Sequence, residues 1–210
     1  MFLWTGQTVP RLGELVRLYL ASRNAGKISE LRKLGSCFGI EVVPVDLPKI
    51  EVQSESLEEI SLYSAVNAFL TFRKPLIVED SGLYIEALNL FPGAYSSFVY
   101  KTIGIRGVLK LLEGVENRRA YFKSVIALAA PNLPEVKLFT GVVRGVIATE
   151  PRGSRGFGFD PVFIPEGSSK TFAEMGEDEK NEVSHRGRAF RALASWLAEN
   201  CARVSCHSWT

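Results

Sequence analysis

Hydrophobic and polar positions divide the chain into alternating strand-like and helix-like segments. Residues 15–21 form a nearly unbroken apolar run, which is typical of a buried strand. A polar turn over 22–27 follows, and apolar residues then recur at helical spacing, at Ile28, Leu31, Leu34 and Phe38. Because a strand, a short turn and a helix open an α/β unit, the pattern predicts an α/β fold.

The next segments repeat this alternation. A second strand is predicted over 40–45, and a helix is predicted to begin after Ser56, an N-cap that completes a capping box with Glu59. The apolar face of this helix consists of Leu57, Ile60, Tyr63, Val66 and Leu70. Residues 76–78 are a short apolar strand that leads into the acidic segment 79–82.

The second half of the chain is richer in β-strand patterns. The expected segments are a loop over 88–97, a helix over 102–112, an antiparallel hairpin of 120–129 and 136–148, a Gly-rich loop over 153–158 and a closing helix around 189–197. We therefore predict one mixed α/β domain over 15–199. An N-terminal extension over 1–14 and a C-terminal tail over 200–210 flank it.

Composition narrows the class of protein. Hydrophobic residues make up 46% of the 210 residues, which excludes a disordered chain. Lys and Arg number 25 against 23 Asp and Glu, and this near-neutral balance predicts neither a nucleic acid nor a membrane partner. Three cysteines favour a reducing compartment over a disulfide framework. With no apolar run long enough for a signal peptide or a membrane span, we expect a cytoplasmic protein.

The balanced total conceals two segments of opposite charge. Residues 41–86 carry nine acids against three bases, whereas residues 101–155 carry ten bases against four acids. These segments are either two solvated faces or a cation-binding wall and an anion-binding wall of one cleft. A polyphosphate bound with Mg²⁺ requires the second arrangement.

The turn over 22–27 reads Ser-Arg-Asn-Ala-Gly-Lys and precedes a predicted helix. Backbone N–H groups at a helix N-terminus attract anions, and here Ser22 and Asn24 add donors while Lys27 adds a positive charge. The glycine spacing of a Walker A motif is missing. The turn is therefore either a phosphate-binding loop or an ordinary capped turn.

Glu79 and Asp80 follow a buried strand, where α/β folds bind their ligands. Two adjacent carboxylates at such a position can hold Mg²⁺ and polarise a water molecule. The alternative is a turn, because Asp-Ser-Gly also favours turns. We favour the functional interpretation, since two acids beside a hydrophobic strand are costly unless they are paired.

Two later clusters can recognise a nucleotide. Residues 157–160, Phe-Gly-Phe-Asp, offer two rings that can stack on a base and a carboxylate that can accept hydrogen bonds, although both rings could belong to the core. Lys180, His185 and Arg186 lie within seven residues, with Ser184 as the predicted N-cap of the closing helix. Three basic groups so close together favour anion or base binding over a structural role for one histidine.

In this order, the motifs resemble those of the inosine triphosphate pyrophosphatase family over about residues 16–199. The matching segments are 22–27 (SRNAGK), 51–60 (EVQSESLEEI), 79–83 (EDSGL), 92–97 (PGAYSS), 156–161 (GFGFDP) and 180–186 (KNEVSHR). The resemblance implies an elongated mixed β-sheet with flanking helices, two lobes around a central cleft, and a homodimer. It also implies Mg²⁺-dependent hydrolysis of ITP, dITP and XTP to the monophosphate and pyrophosphate, which cleanses the nucleotide pool.

The resemblance also implies roles for individual residues. Asp80 would be the catalytic acid-base and, together with Glu51, a ligand of Mg²⁺. The substrate-binding residues would be Ser22, Arg23, Asn24, Ala25, Gly26, Lys27, Ser81, Phe157, Gly158, Phe159, Asp160, Lys180, His185 and Arg186. Ser22 stands where many members have Thr, and Phe159 stands where many have Tyr or Trp.

Two other functions stay open at this point. One is a related pyrophosphatase that acts on modified pyrimidine triphosphates. The other is a noncatalytic nucleotide-binding or nucleic-acid-binding protein that uses the basic residues of 101–155. The acids Glu51, Glu79 and Asp80 argue against the second, because such a protein has no use for three acids beside phosphate.

Overall fold

The computed structural model describes residues 15–48, 50 and 52–204. Within these residues one sheet contains the strands β1 (Val16–Ala21), β2 (Ile40–Val45), β3 (Leu76–Ile85), β4 (Pro92–Gly93), β5 (Arg119–Ala129), β6 (Lys137–Ile147) and β7 (Phe163–Pro165). The α-helices are α1 (Ala25–Phe38), α2 (Leu57–Phe72), α3 (Ser96–Thr102), α4 (Gly104–Leu111), α5 (Glu177–Val183) and α6 (His185–Val204). The predicted mixed α/β fold is confirmed.

The sheet is parallel on one side and antiparallel on the other. Its strand order is β2-β1-β3-β5-β6-β7, and the short strand β4 also pairs with β3. β1 is parallel to both of its neighbours, β2 and β3. From β3 onward each strand is antiparallel to the next, in the order β3, β5, β6 and β7. α1 joins β1 to β2 and α2 joins β2 to β3, because parallel strands of one sheet require a crossover connection. β5 and β6 form the hairpin that the sequence predicts.

β3 is longer than the sequence pattern indicates. The expected strand ends at Val78, but β3 continues to Ile85 and pairs with β5 along its whole length. The acidic segment 79–82 is therefore part of a strand and not a turn. A charged side chain is tolerated inside a buried strand when it is paired, and the Glu79 carboxylate contacts both Lys27 and Arg186.

The helix predicted over 102–112 is also different. α3 begins already at Ser96, within the predicted loop, and ends at Thr102, and α4 then begins at Gly104. Gly104 has a φ of 62°, a left-handed conformation that an α-helix cannot continue through. The apolar spacing did not reveal this break, because it is nearly the same in both short helices.

Two buried clusters of apolar side chains lie towards the two ends of β3. One joins β1, α1 and α6, and β3 contributes Ile77 to it. The other joins α3, α4 and the first part of β5 to β6 and β7, and β3 contributes Leu83 to it. Glu79 and Ser81 lie between these two clusters, whereas Asp80 is on the other side of the strand, between clusters that contain Val78 and Tyr84.

Among the described residues, Cys37 is exposed and free. In the part of the chain that the structure describes, none of the helices has the length and apolar character needed to cross a membrane.

Candidate active site

Glu79 and Ser81 lie on the face of β3 that α1 and α6 cover. The Glu79 carboxylate is 3.0 Å from Lys27 Nζ of α1 and 3.2 Å from Arg186 Nη2 of α6. Ser81 Oγ accepts a hydrogen bond of 3.0 Å from the same Arg186 nitrogen. Glu79 receives a further bond of 2.7 Å from the Ser124 hydroxyl of β5. This side of the strand is therefore occupied by a hydrogen-bonded ion-pair network.

Asp80 points to the opposite face, because neighbouring residues of a strand alternate between faces. It lies opposite Val125 of β5, and Val125 packs against Leu57 of α2. Glu79 and Asp80 are therefore directed to opposite faces and do not form a side-by-side pair of carboxylates. Only Asp80 is directed to the face covered by α2.

One edge of β3 is open at these residues. β1 pairs with β3 only at Leu76 and Ile77, and β4 pairs only at Leu83 and Tyr84. Among the described residues, 79–81 have no strand on that edge, and the Glu79 carbonyl oxygen instead accepts a bond of 3.0 Å from Lys27 Nζ. A ligand at this edge can reach side chains from both faces of β3.

The turn over 22–27 lies beside this edge, directly after β1. Asn24 is the N-cap of α1, and its Oδ1 accepts a bond of 3.1 Å from the Lys27 backbone N–H. Ser22 Oγ accepts a bond of 3.2 Å from the Asn24 backbone N–H. The turn is thus a capped turn whose lysine reaches the acidic strand. Arg23 instead forms an exposed ion pair with Asp46 at 2.5 Å, and Ala25 is exposed.

Six side chains of alternating charge form a continuous series of ion pairs, which we call the charge ladder. In order they are Lys27, Glu79, Arg186, Glu30, Lys180 and Asp160, with successive N–O distances of 3.0, 3.2, 2.5, 2.6 and 2.5 Å. All except Lys27 have side chains that are at most 5% exposed. Three positive and three negative charges cancel, which allows the ladder to be buried.

The acids of the ladder respond differently to burial. Burial raises the pKa of Glu79, but Arg186 and Lys27 outweigh it, and the net effect is a pKa below the ordinary value. The pKa of Glu30 is lowered in the same way, by Arg186 and Lys180 against burial. Asp160 is at the end of the ladder and pairs there with one cation, Lys180. Burial outweighs this pairing and raises the pKa of Asp160 above the ordinary value.

The Phe157 side chain lies against both the charge ladder and the turn over 22–27. Its ring centroid is 4.9 Å from Lys180 Nζ and 5.3 Å from Arg186 Cζ, within cation–π range. A Cβ atom on Gly26 would collide with the ring, so this position requires glycine. The Phe157 backbone N–H donates to Asp160 Oδ2 at 2.8 Å. The ring, the N-terminus of α1 and the end of the ladder therefore meet.

Phe159, by contrast, belongs to the core. It is 3% exposed and makes an edge-to-face contact with Tyr100 at 5.4 Å between centroids. Gly158 has a φ of 63°, a left-handed conformation that suits glycine, and it separates the two rings. The Phe159 ring therefore lies in the core, and Phe157 is the ring that faces the candidate site.

His185 is buried beside the ladder and begins α6. Its ring stacks on Phe122 at 4.6 Å and 11°, and it also lies near Phe172. Its Nδ1 has no hydrogen-bond partner among the residues that the structure describes. Burial, and then the positive charge of Arg186, lower its pKa well below 6.5, so the ring is neutral. Ser184 Oγ accepts from the Gly187 N–H at 3.1 Å, which confirms the predicted cap.

Two residues of the site were not found from the sequence. Glu30 joins Lys180 to Arg186, and Ser124 holds Glu79. Glu30 lies three residues after Lys27 and hence on the same face of α1, which is a signal that could have identified it. Ser124 carries no such signal, because its role depends on the register of β5 against β3.

A magnesium ion is implied by the family resemblance, and the donor set can be compared with it. Glu51 lies outside the described residues. Among residues 15–48, 50 and 52–204, no three His, Cys, Asp or Glu side chains converge on a possible metal position. Mg²⁺ is commonly bound by one or two carboxylates while substrate phosphates and waters supply the other ligands. The Asp80 carboxylate fits that kind of site.

The fold and site define an α/β protein whose candidate site combines buried ion pairs and an aromatic ring at the edge of a strand. Comparisons with known proteins show the family to which it belongs. A model described as the Ham1 family matches residues 18–196. The chain is 59% identical over 182 residues to the dITP/XTP pyrophosphatase of Hyperthermus butylicus, covering 87% of this chain and 95% of that protein. It is 52% identical to the dITP/XTP pyrophosphatase of Thermococcus kodakarensis, covering 88% and 99%.

Solved structures agree. The HAM1 protein from Coxiella burnetii superposes with a TM-score of 0.77 at 36% identity, over 88% of this chain and all of that chain (100%). The Staphylococcus aureus Ham1 protein gives a TM-score of 0.76 at 31% identity, over 88% and 99%. The chain belongs to the Ham1 family.

The neutral, buried His185 predicts a pH dependence of folding stability. Its folded pKa is lowered, so below about pH 6.5 the unfolded chain binds a proton that the folded chain does not, and stability falls as pH falls. Between pH 7.5 and 5.5, the wild type should lose about 1 kcal/mol more unfolding free energy than His185→Gln. Urea titrations at both pH values measure this, and equal losses in the two proteins would contradict it.

Proposed function

We propose that this protein hydrolyses deaminated (noncanonical) purine nucleoside triphosphates, namely ITP, dITP and XTP, to the monophosphate and pyrophosphate. The observation that carries the proposal is the charge ladder at the open edge of β3, with Asp80 on the opposite face of the same strand. Family membership and the dITP/XTP pyrophosphatase names of relatives up to 59% identical support it. The reaction would protect the nucleotide pool, and a cytoplasmic location suits that role.

The triphosphate would bind at the Lys27 end of the ladder. Lys27 is the ladder residue with the most exposed side chain, at 16%, and it extends from the N-terminus of α1, whose dipole also favours anions. Ser22 and Asn24 precede it in the turn and Ser81 lies on the facing strand. Arg186 adds a buried positive charge that Glu79 and Glu30 hold in place.

The nucleobase would bind at the other end, beside Phe157, where Asp160 and Lys180 end the ladder. The Phe157 ring offers a stacking surface, and His185 offers a buried, neutral nitrogen without a partner among the described residues. A site that donates hydrogen bonds to a 6-oxo group disfavours adenine, whose 6-amino group would leave those donors unpaired. This polarity supports preference for a 6-oxopurine over adenine.

Asp80 would hold or move the proton of the attacking water. The products require attack at the α-phosphorus, and Asp80 is the carboxylate that β3 directs away from the neutralised ladder. With Glu51 it would also hold Mg²⁺, which supplies charge neutralisation at the phosphate oxygens when bound. The alternation of the strand places the Asp80 carboxylate on the face opposite Arg186 and the charge ladder.

We also propose that the protein acts as a homodimer. Around α3 the surface exposes large apolar side chains, namely Leu90, Phe91, Tyr95, Phe98, Tyr100 and Ile103. Tyr100 also contacts Phe159, which follows Phe157 in the base-binding segment. A second copy of the chain on this surface would remove the apolar groups from water and stabilise that segment.

A panel of nucleotides with product identification tests the reaction. With Mg²⁺, pyrophosphate release from ITP and XTP should exceed that from ATP by at least about 100-fold, because adenine leaves hydrogen-bond donors unpaired. GTP, TTP and methylated UTP complete the panel. Equal rates on ITP, ATP and GTP would remove the specificity, a preference for the pyrimidines would identify the alternative enzyme, and no release would remove the enzymatic function.

Asp80→Asn tests the assigned acid-base. The variant keeps the shape of the side chain but cannot take up a proton, so kcat for ITP should fall by about 10² to 10⁴ while the unfolding free energy changes little. Asp178→Asn is the matched control, since that carboxylate is 82% exposed and pairs with Lys33 on the surface. Near-normal turnover of Asp80→Asn would show that another group activates the water.

Phe98→Glu tests the dimer surface. Phe98 is 68% exposed, and a charge there should convert the dimer into a monomer in size-exclusion chromatography with light scattering. Leu70→Glu, at a 55% exposed apolar position on α2, is the control and should stay dimeric. A dimer unaffected by Phe98→Glu, or a monomeric wild type, would argue against this surface as the interface.

A further inference from the structure

A triphosphate that approaches the Asp80 face of β3 brings negative charge towards a carboxylate, and a protein cation on that face would assist the proposed Mg²⁺ in offsetting it. The cations Lys27, Arg186 and Lys180 all belong to the charge ladder, on the opposite face. A triphosphate that bridges the open edge of β3 therefore places negative oxygens next to the Asp80 carboxylate. A positive group on the Asp80 face would offset this repulsion.

The register of the sheet places Lys123 on that face. Asp80 lies opposite Val125, and Gly82 lies opposite Lys123, so Lys123 is a diagonal cross-strand neighbour of Asp80. Diagonal neighbours on one face are about 7–8 Å apart, which long side chains span. Lys123 also belongs to the basic segment 101–155, for which no role has been assigned so far.

Most bases of that segment whose contacts the structure gives are occupied elsewhere. Arg118 donates to three backbone carbonyls, Arg119 pairs with Glu86, and Lys110 pairs with Glu113. Arg119 is on the same face of β5 as Lys123, but it is at the start of the strand, and its partner Glu86 follows the end of β3. Lys123 differs, because its partner belongs to the helix that covers this face.

That partner is Glu58, in the first turn of α2. Lys123 Nζ lies 2.6 Å from Glu58 Oε1 and 2.8 Å from Oε2, and the two side chains are 23% and 36% exposed. Leu57 packs with Val125, which fixes this turn of α2 above the strand position opposite Asp80. Glu58 therefore holds the ammonium group at the solvent boundary of the Asp80 face.

The ammonium group keeps capacity for a further ligand in this position. It has three N–H donors, both oxygens of one carboxylate occupy at most two of them, and the pair is accessible to solvent. Burial raises the pKa of Glu58, but hydrogen bonds from Lys123, the backbone and Ser56, with the charge of Lys123, together outweigh it and lower the pKa, so the carboxylate stays ionised. A phosphate oxygen can thus add to this pair.

We propose that Lys123 binds a phosphate oxygen of the nucleoside triphosphate on the Asp80 side of β3, an inference that rests on the proposed function. In the free enzyme the Lys123 ammonium group pairs with Glu58. The triphosphate is then held by cations on both faces of the strand, Lys27 and Arg186 on one and Lys123 on the other.

The test compares four variants in steady-state ITP hydrolysis with Mg²⁺. Lys123→Met removes the charge and should lower kcat/KM by about 10- to 100-fold, the value of one charge-assisted hydrogen bond. Lys123→Arg should recover most of the activity. Lys137→Met is the matched control, because Lys137 also pairs with a glutamate at 2.6 Å but lies on β6, on the face opposite Asp80.

Glu58→Gln separates substrate binding from a structural ion pair. If Lys123 binds phosphate, the Gln variant should stay within about threefold of the wild type, since the lysine is still present. Loss in Glu58→Gln equal to that in Lys123→Met would assign the effect to the ion pair and overturn the proposal, as would a Lys123→Met variant with wild-type kcat/KM. The wild type in the same assay distinguishes these outcomes from failure of the proposed function, which would appear as no pyrophosphate release from ITP.

Discussion

The charge ladder is the interaction on which the geometry of the site depends. Its six members come from α1, β3, the segment before β7, α5 and α6, so the ion pairs are complete only when all of these are in place. An unpaired charge at such burial costs several kcal/mol. The ladder therefore couples distant parts of the chain, and it holds Arg186 and Lys180 in fixed positions before any ligand arrives.

The two ends of the ladder differ in a way that matches the two ends of a nucleotide. At one end Lys27 is partly exposed at a helix N-terminus, which suits phosphates. At the other end Asp160 is buried beside an aromatic ring, and burial raises its pKa, which suits hydrogen bonding to a neutral base. Because the ladder has zero net charge, it places no excess positive charge in the interior. Its exposed end can nevertheless bind a polyanion through Lys27.

Much of the fold could be predicted from the sequence, and parts of the site could not, for physical reasons. Local periodicity is sufficient for α1, α2 and the β5–β6 hairpin, and Ser184 is a cap that the sequence identifies. The extension of β3 through Glu79 could not be predicted, because the cations that neutralise this carboxylate lie 52 residues before it, at Lys27, and over 100 residues after it, at Arg186. In the sequence alone, two adjacent acids after an apolar run look like the end of a strand.

The position of Asp80 shows how one strand can serve two chemical purposes. Adjacent residues of a strand face opposite sides, so Glu79 and Asp80 have different surroundings although they are neighbours in the sequence. Arg186 therefore pairs with Glu79, while Asp80 lies on the face of Val125 and α2. Because the strand edge is open at 79–81, a single ligand can contact both faces there. The fold thus places the ion-paired residues and the proposed acid-base on opposite faces, and it brings both to the same edge.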